Sequence, residues 1–125
     1  MGVAQKLDLL TSDNPGCRLA AFGDLGARLI LCSSGEKAPR QEYFDEICDV
    51  SARNFEYQDA LTGSMGHAAK PSGELFVVNP TETILVVRSD ADDADMLVCV
   101  CNSPDDAWKL IPPARQFLAD CLEIG

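Results

Sequence analysis

Between Glu74 and Asn102 three strand-length apolar runs, ELFVVN, TILVVRS and MLVCVCN, follow one another with only Pro80-Thr81-Glu82 and the acidic segment DADDAD between them. Their Val, Ile, Leu and Phe content and turn-rich boundaries predict a three-stranded meander over Glu74–Asn79, Thr83–Ser89 and Met96–Asn102. Runs such as ILVV and MLVCVC are almost unbroken instead of alternating, which is the pattern of strands covered on both faces. A chain containing them has to supply helices for two sides of a sheet.

The rest of the sequence supplies them. The longest helical pattern runs from about Arg40 to Leu61 without a Pro or Gly. Phe44, Ile47, Cys48, Ala52 and Phe55 mark one face of it. A second series, Tyr43, Ile47, Val50, Asn54, Tyr57 and Leu61, recurs with alternating spacings of four and three, a coiled-coil period. Two overlapping stripes imply packing against a sheet on one side and a second helix on the other. Residues 3–12 carry Val3, Ala4, Leu7 and Leu10 at helical spacing and predict a short first helix. Ser103-Pro104-Asp105-Asp106 reads as a helix start, with a capping Ser, a Pro suited to the first position and acids at the positive end of the dipole. That last helix should run to about Glu123, burying Trp108, Ile111, Phe117, Leu118, Cys121 and Leu122. Pro112-Pro113 falls inside it and predicts a kink or a restart at Pro112.

Asp13-Asn14-Pro15-Gly16 is turn chemistry. After it, Cys17–Phe22 and Ala27–Ser33 read as a hairpin, with Gly23 and Gly26 expected to supply the positive backbone angles of its turn. The stretch Thr62–Ser72 (TGSMGHAAKPS) reads as a loop. No repeat, low-complexity tract or Gly/Ser linker appears, so a single domain over residues 1–125 is expected.

With 46% apolar and 24% charged residues, the 125-residue chain has the composition of an ordinary globular protein, not of a disordered one. Its longest apolar runs are about five residues, against about twenty for a membrane span. The start, MGVAQKLDLL, lacks a secretory pattern, and Lys6 stands where a myristoylation motif wants Ser or Thr. A cytoplasmic location is therefore expected, and the six cysteines, set mostly in apolar segments, read as reduced core residues. The formal net charge of -10 would repel a phosphate backbone or an anionic membrane, so nucleic acid and membrane are not expected partners.

Helix, hairpin, long helix, meander and C-terminal helix is the element order of the roadblock family, relatives of dynein light chains and of bacterial regulators of small GTPases. The sequence resembles that family over about residues 5–123: in a first strand passing through a Gly-flanked turn into LILCSSGE, in GELFVVNPTETILVVRSDADDADMLVCVC, and in the final helix. It departs from the pattern at Pro112-Pro113 and in the shortness of the first helix. The resemblance implies a five-stranded antiparallel sheet in order 2-1-5-4-3, an α/β sandwich with the long helix on one face and the terminal helices on the other. It further implies that two copies join through the third strand and the long helix into a ten-stranded sheet. Carried onto this sequence, the dimer contact would use Tyr43, Ile47, Val50, Asn54 and Tyr57 with Leu75, Phe76, Val77 and Val78 of the strand Glu74–Asn79. The residues support the same contact, because an LFVV strand at a sheet edge invites pairing and a coiled-coil stripe needs a partner.

Signs of chemistry are few. Cys99 and Cys101 share one face of a strand, but a zinc site needs four ligands and no second closely spaced pair exists; core packing is the expected role. His67, the only histidine, sits in the loop GSMGHAAK, and nothing around any cysteine matches a protease or transferase signature. Gly63 and Gly66 lack the spacing and the following Lys-Ser or Lys-Thr of a phosphate cradle. Asp90, Asp92, Asp93 and Asp95 lack the spacing and closing Glu of an EF-hand, and read as a solvated turn. No cofactor is implied.

The leading expectation is a non-catalytic homodimer that docks another protein, a small GTPase being the class the resemblance implies. A small-molecule sensor of the PAS, GAF or profilin-like layout is the alternative; it would need a cavity between sheet and long helix, a space that Phe44, Phe55 and Phe76 are expected to fill. A third reading, an enzyme using Cys99, Cys101 or His67, has only those residue types behind it.

Overall fold

The computed structural model describes residues 2–35, 41–65, 73–89 and 95–124. Their order is α1 (Val3–Asp13), β1 (Cys17–Asp24), β2 (Leu29–Gly35), α2 (Gln41–Met65), β3 (Glu74–Asn79), β4 (Glu82–Arg88), β5 (Asp95–Cys101), α3 (Pro104–Lys109) and α4 (Ile111–Ile124). All strand pairings are antiparallel, and the sheet runs β2-β1-β5-β4-β3. This is the predicted fold class and strand order. His67, Gly66, Asp90, Asp92 and Asp93 lie outside the described residues.

Strand alternation sorts the core into two layers. Ala20, Leu85, Val87, Leu97, Cys99 and Cys101 face α1, α3 and α4, where Leu7, Leu10, Leu110 and Phe117 meet them. Ala21, Ile84, Val86, Met96, Val98 and Val100 face α2, where Phe44, Cys48, Ala52 and Phe55 close over them. The two strands that carry the unbroken apolar runs, β4 and β5, are buried on both faces because helices cover both.

Four details differ from the sequence reading, each for a local reason. The chain continues helically to Met65, four residues past Leu61, so Thr62 and Gly63 close a helix and do not open a loop. In the β1–β2 turn the left-handed residue is Arg28, at φ 55°, and neither glycine has a positive φ. Gly23 is needed there for closeness: a Cβ on it would sit 2.7 Å from the Leu29 carbonyl oxygen, beside the bulge between Phe22 and Gly23. Trp108, expected in the core, is 68% exposed on α3. Phe76, expected under α2, points to the opposite layer.

The C-terminal prolines behave as predicted. The Ser103 hydroxyl accepts from the Asp106 backbone N–H at 3.2 Å to start α3, which stops at Leu110. A new helix starts at Ile111, placing Pro112 and Pro113 in its first turn, where an N–H has no intrahelical acceptor to lose.

Candidate interaction surface at the β3 edge

The sheet ends in two edge strands, and they are built differently. β2 pairs with β1 through a register break between Phe22 and Gly23, and Gly35 at its end adopts φ 122° against the Arg18 carbonyl. Such a bulge twists an edge away from further pairing. β3 pairs with β4 in unbroken register from Glu74↔Val87 to Asn79↔Glu82, and no strand among the described residues lies on its outer side. It is a regular six-residue edge, the form that accepts another strand.

The nine predicted interface residues occupy two faces of this edge. Leu75 and Val77 face α2, whereas Phe76 packs with the other layer, where its ring stacks on Trp108 at 6.1 Å between centroids and 24° between planes. Val78 is 63% exposed. On α2, Ile47 is buried in its own core, Tyr43, Val50 and Asn54 are half-buried, and Tyr57 is exposed. The α2 stripe thus lies beside Leu75 and Val77 on one side of the sheet, and Phe76 belongs to a separate aromatic patch with Trp108. Trp108, expected to be buried, lies outward because Ala107 and Leu110 take the core positions on that segment.

α2 is pinned over β3 and β4 by polar contacts at both ends. Gln58 Nε2 donates to the Glu74 carbonyl at 2.9 Å, and Tyr43 O–H donates to Glu82 Oε2 at 2.7 Å. Glu82 in turn pairs with Arg18 at 2.6 Å, and Arg18 also donates to Asn102 Oδ1 at 3.3 Å. Burial, then the hydrogen bond to Glu82, raises the Tyr43 phenol above its ordinary range, keeping it protonated as a donor. Between these two anchors lies an open groove of about 160 Å³, lined by Tyr43, Ile47, Val50, Ser51, Val77 and Ile84. Ser51 Oγ is fully buried there and has no hydrogen-bond partner among the described residues.

The opposite flank of α2 is closed by charge. Arg88, 7% exposed, holds Asp59 through two hydrogen bonds of 2.9 and 3.0 Å and lies 4.7 Å over the Phe55 ring. A second cleft of about 370 Å³ opens there beside Leu25, Arg28 and Arg88. The space directly under the helix is filled by Phe44 and Phe55, both buried.

Cys99 and Cys101 do share one strand face, as the spacing predicted, and Cys17 joins them, opposite Cys101 in the β1–β5 register. Hydrogen bonding with Cys17 and burial raise the Cys99 and Cys101 thiols. Burial, with Asp45 and Asp49 nearby, pushes Cys48 up to about 11. Thiols so shifted stay protonated and are poor nucleophiles and ligands. Among the described residues no group of three His, Cys, Asp or Glu side chains is arranged to hold a metal ion. No helix among them is long and apolar enough to cross a membrane.

A five-stranded antiparallel sheet in this order, with helices on both faces, defines a profilin-like class of fold. Comparison with solved structures narrows it to the roadblock type. The chain is similar to MglB from Myxococcus xanthus, with 14% identity, a TM-score of 0.74 and 98% of this chain and 96% of that one covered. It is also similar to a Roadblock/LC7 domain from Streptomyces avermitilis (12% identity, TM-score 0.73, 97% and 95% covered). Profilin from Schizosaccharomyces pombe matches less well, at 13% identity and a TM-score of 0.62, with 95% and 98% covered. No protein-family model matches the sequence. No curated protein matches it either.

Proposed function

We propose that the chain is a single, non-catalytic module that forms a homodimer through β3 and the adjoining flank of α2, and that the dimer docks another protein in the cytoplasm. The carrying observation is the contrast between the two sheet edges: β2 is bulged, while β3 is regular and runs beside a half-buried apolar stripe with coiled-coil spacing. Pairing β3 with β3 of a second copy would continue the sheet to ten strands and cover Val50, Tyr57 and Val78 together. A formal charge of -10 per chain suits a docking partner with a basic surface. A small GTPase is the partner class proposed, by analogy with the bacterial regulators that the sequence resembles; fold analogy is the warrant for that step.

Light scattering tests the dimer. The expected mass is about twice the 13.5 kDa chain, and Val50→Glu with Val78→Lys should reduce it to that of a folded monomer. A dimer that survives both substitutions places the contact elsewhere. Titration calorimetry with a small GTPase, loaded with GDP or GTP, tests the docking; heat with the dimer and none with the monomeric variant supports it, and none with either removes the GTPase. The sensor reading is less favoured, because Phe44 and Phe55 occupy the space a ligand would need beneath α2.

A further inference from the structure

We infer that the groove between α2 and β3 binds a small primary amine built on one hydroxylated ring. The groove, of about 160 Å³, is lined by residues of a single chain, so the site does not need the homodimer. Ile47, Val50, Val77 and Ile84 make its walls apolar. A cavity of about 150 Å³ accepts one benzene ring, so the groove has room for a single ring. Phe44 and Phe55 fill the space directly beneath the helix and leave this flank open.

The floor of the groove lacks a hydrogen bond. Ser51 is fully buried, and its Oγ has no partner among the described residues. A serine or threonine inside a helix can place its hydroxyl on the carbonyl four residues back, as Thr62 does on Gln58 at 2.8 Å farther along α2. Ser51 does not make that bond to Ile47. Native structures leave few buried polar atoms unpaired, and this one lines a groove open to solvent. A hydroxyl entering with a ligand would complete it.

The mouth is acidic. Glu82 already has Arg18 at 2.6 Å to balance its charge. Glu46 is exposed and has no hydrogen bond or ion pair among the described residues. Its carboxylate adds to the upward push that burial and Glu82 exert on the Tyr43 phenol, which sets it at the same mouth. The uncompensated negative charge there favours an ammonium group and repels a carboxylate. From floor to mouth the groove thus offers a hydroxyl partner, an apolar slot for one ring, and an anion. A hydroxyphenyl-alkylamine presents the matching groups in the same order.

An amide NMR titration of the wild-type chain with tyramine tests the site. Shifts should concentrate at residues 43–51, Val77 and Ile84. Phenethylamine, which lacks the hydroxyl, should bind about fivefold more weakly, the worth of one neutral hydrogen bond, and Ser51→Ala should erase that difference. Para-hydroxyphenylacetate, with a carboxylate in place of the ammonium, should not bind, and Glu46→Gln should narrow its gap from tyramine. Equal affinity of the wild type for tyramine and either comparison compound overturns the site. So do shifts confined to surfaces away from α2 and β3, or no shift at millimolar tyramine. A Ser51→Ala chain that melts well below the wild type also overturns it, because the hydroxyl would then have a partner inside the protein. Light scattering reads the homodimer separately. A monomeric chain that takes tyramine in the groove removes the homodimer and keeps the site, and a dimer that takes none does the reverse.

Discussion

Phe76 on the edge strand stacks on Trp108 of α3, joining the outermost strand to a helix on the face opposite α2. The contact lets α3 brace β3 from one side while Gln58 of α2 holds it from the other. It also puts the chain's one tryptophan, 68% exposed, beside the proposed dimer edge.

Phe76→Ala should therefore shift the tryptophan emission to the red and raise its quenching by acrylamide, since Trp108 loses the ring that covers it. The expected loss of stability is about 1–3 kcal/mol, less than for a fully buried Phe, because Phe76 is only half-buried. Denaturant melts followed by circular dichroism measure the loss, and an unmoved emission maximum would show that the stack does not persist in solution.

Asp59→Asn leaves the Arg88 guanidinium 7% exposed without its carboxylate. A cost of about 1–3 kcal/mol is expected, as for a hydrogen bond to a charged group. The hydrogen bonds from Arg88 hold the Asp59 carboxyl below the usual carboxylate range. A folded-state pKa below the unfolded value contributes stability above the unfolded carboxylate range, near pH 4, and loses it as pH falls through the lowered value. Asp59 is half exposed, so solvent screening holds the cost to its lower end and keeps the pH dependence equally small. Acid melts of wild type and Asp59→Asn should converge below that range, and melts that stay separated at every pH contradict the assignment.

Thiol labelling separates the cysteines by layer. Cys17, Cys48, Cys99 and Cys101 are buried, while Cys32 and Cys121 are half-buried. Ellman's reagent should modify Cys32 and Cys121 first in the native protein and reach the other four only on unfolding. Rapid labelling of Cys99 or Cys101 at neutral pH would contradict the packing described.

Gly35→Ala should lower stability by more than about 1 kcal/mol, because φ 122° is strained for any side chain and the added Cβ would press on the Arg18 carbonyl. Gly63→Ala, in the last turn of α2 with nothing near the added Cβ, should be neutral or stabilising by up to about 1 kcal/mol. Thermal melts of the two variants decide it, and equal melting temperatures would count against the strained turn.

Much of the architecture was legible in the residues because it follows from local periodicity and backbone chemistry. The unbroken runs ILVV and LVCVC require strands covered twice, the stripe from Phe44 to Phe55 requires a helix on a sheet, and Ser103-Pro104 with Pro112-Pro113 determines where two helices begin. Both α2 stripes could be read from spacing alone. What spacing could not decide was which residues meet across the sheet. Phe76 and Val77 are neighbours in sequence but enter opposite layers, because strand side chains alternate, and only the β3–β4 register settles which of them faces α2. Trp108 is exposed because Ala107 and Leu110 take the core positions at the end of α3, Arg28 holds the left-handed position of the β1–β2 turn, and Cys17 joins Cys99 and Cys101 because β1 pairs with β5. The layer each strand residue enters and the Cys17 contact are set by pairings distant in sequence, which no local pattern encodes.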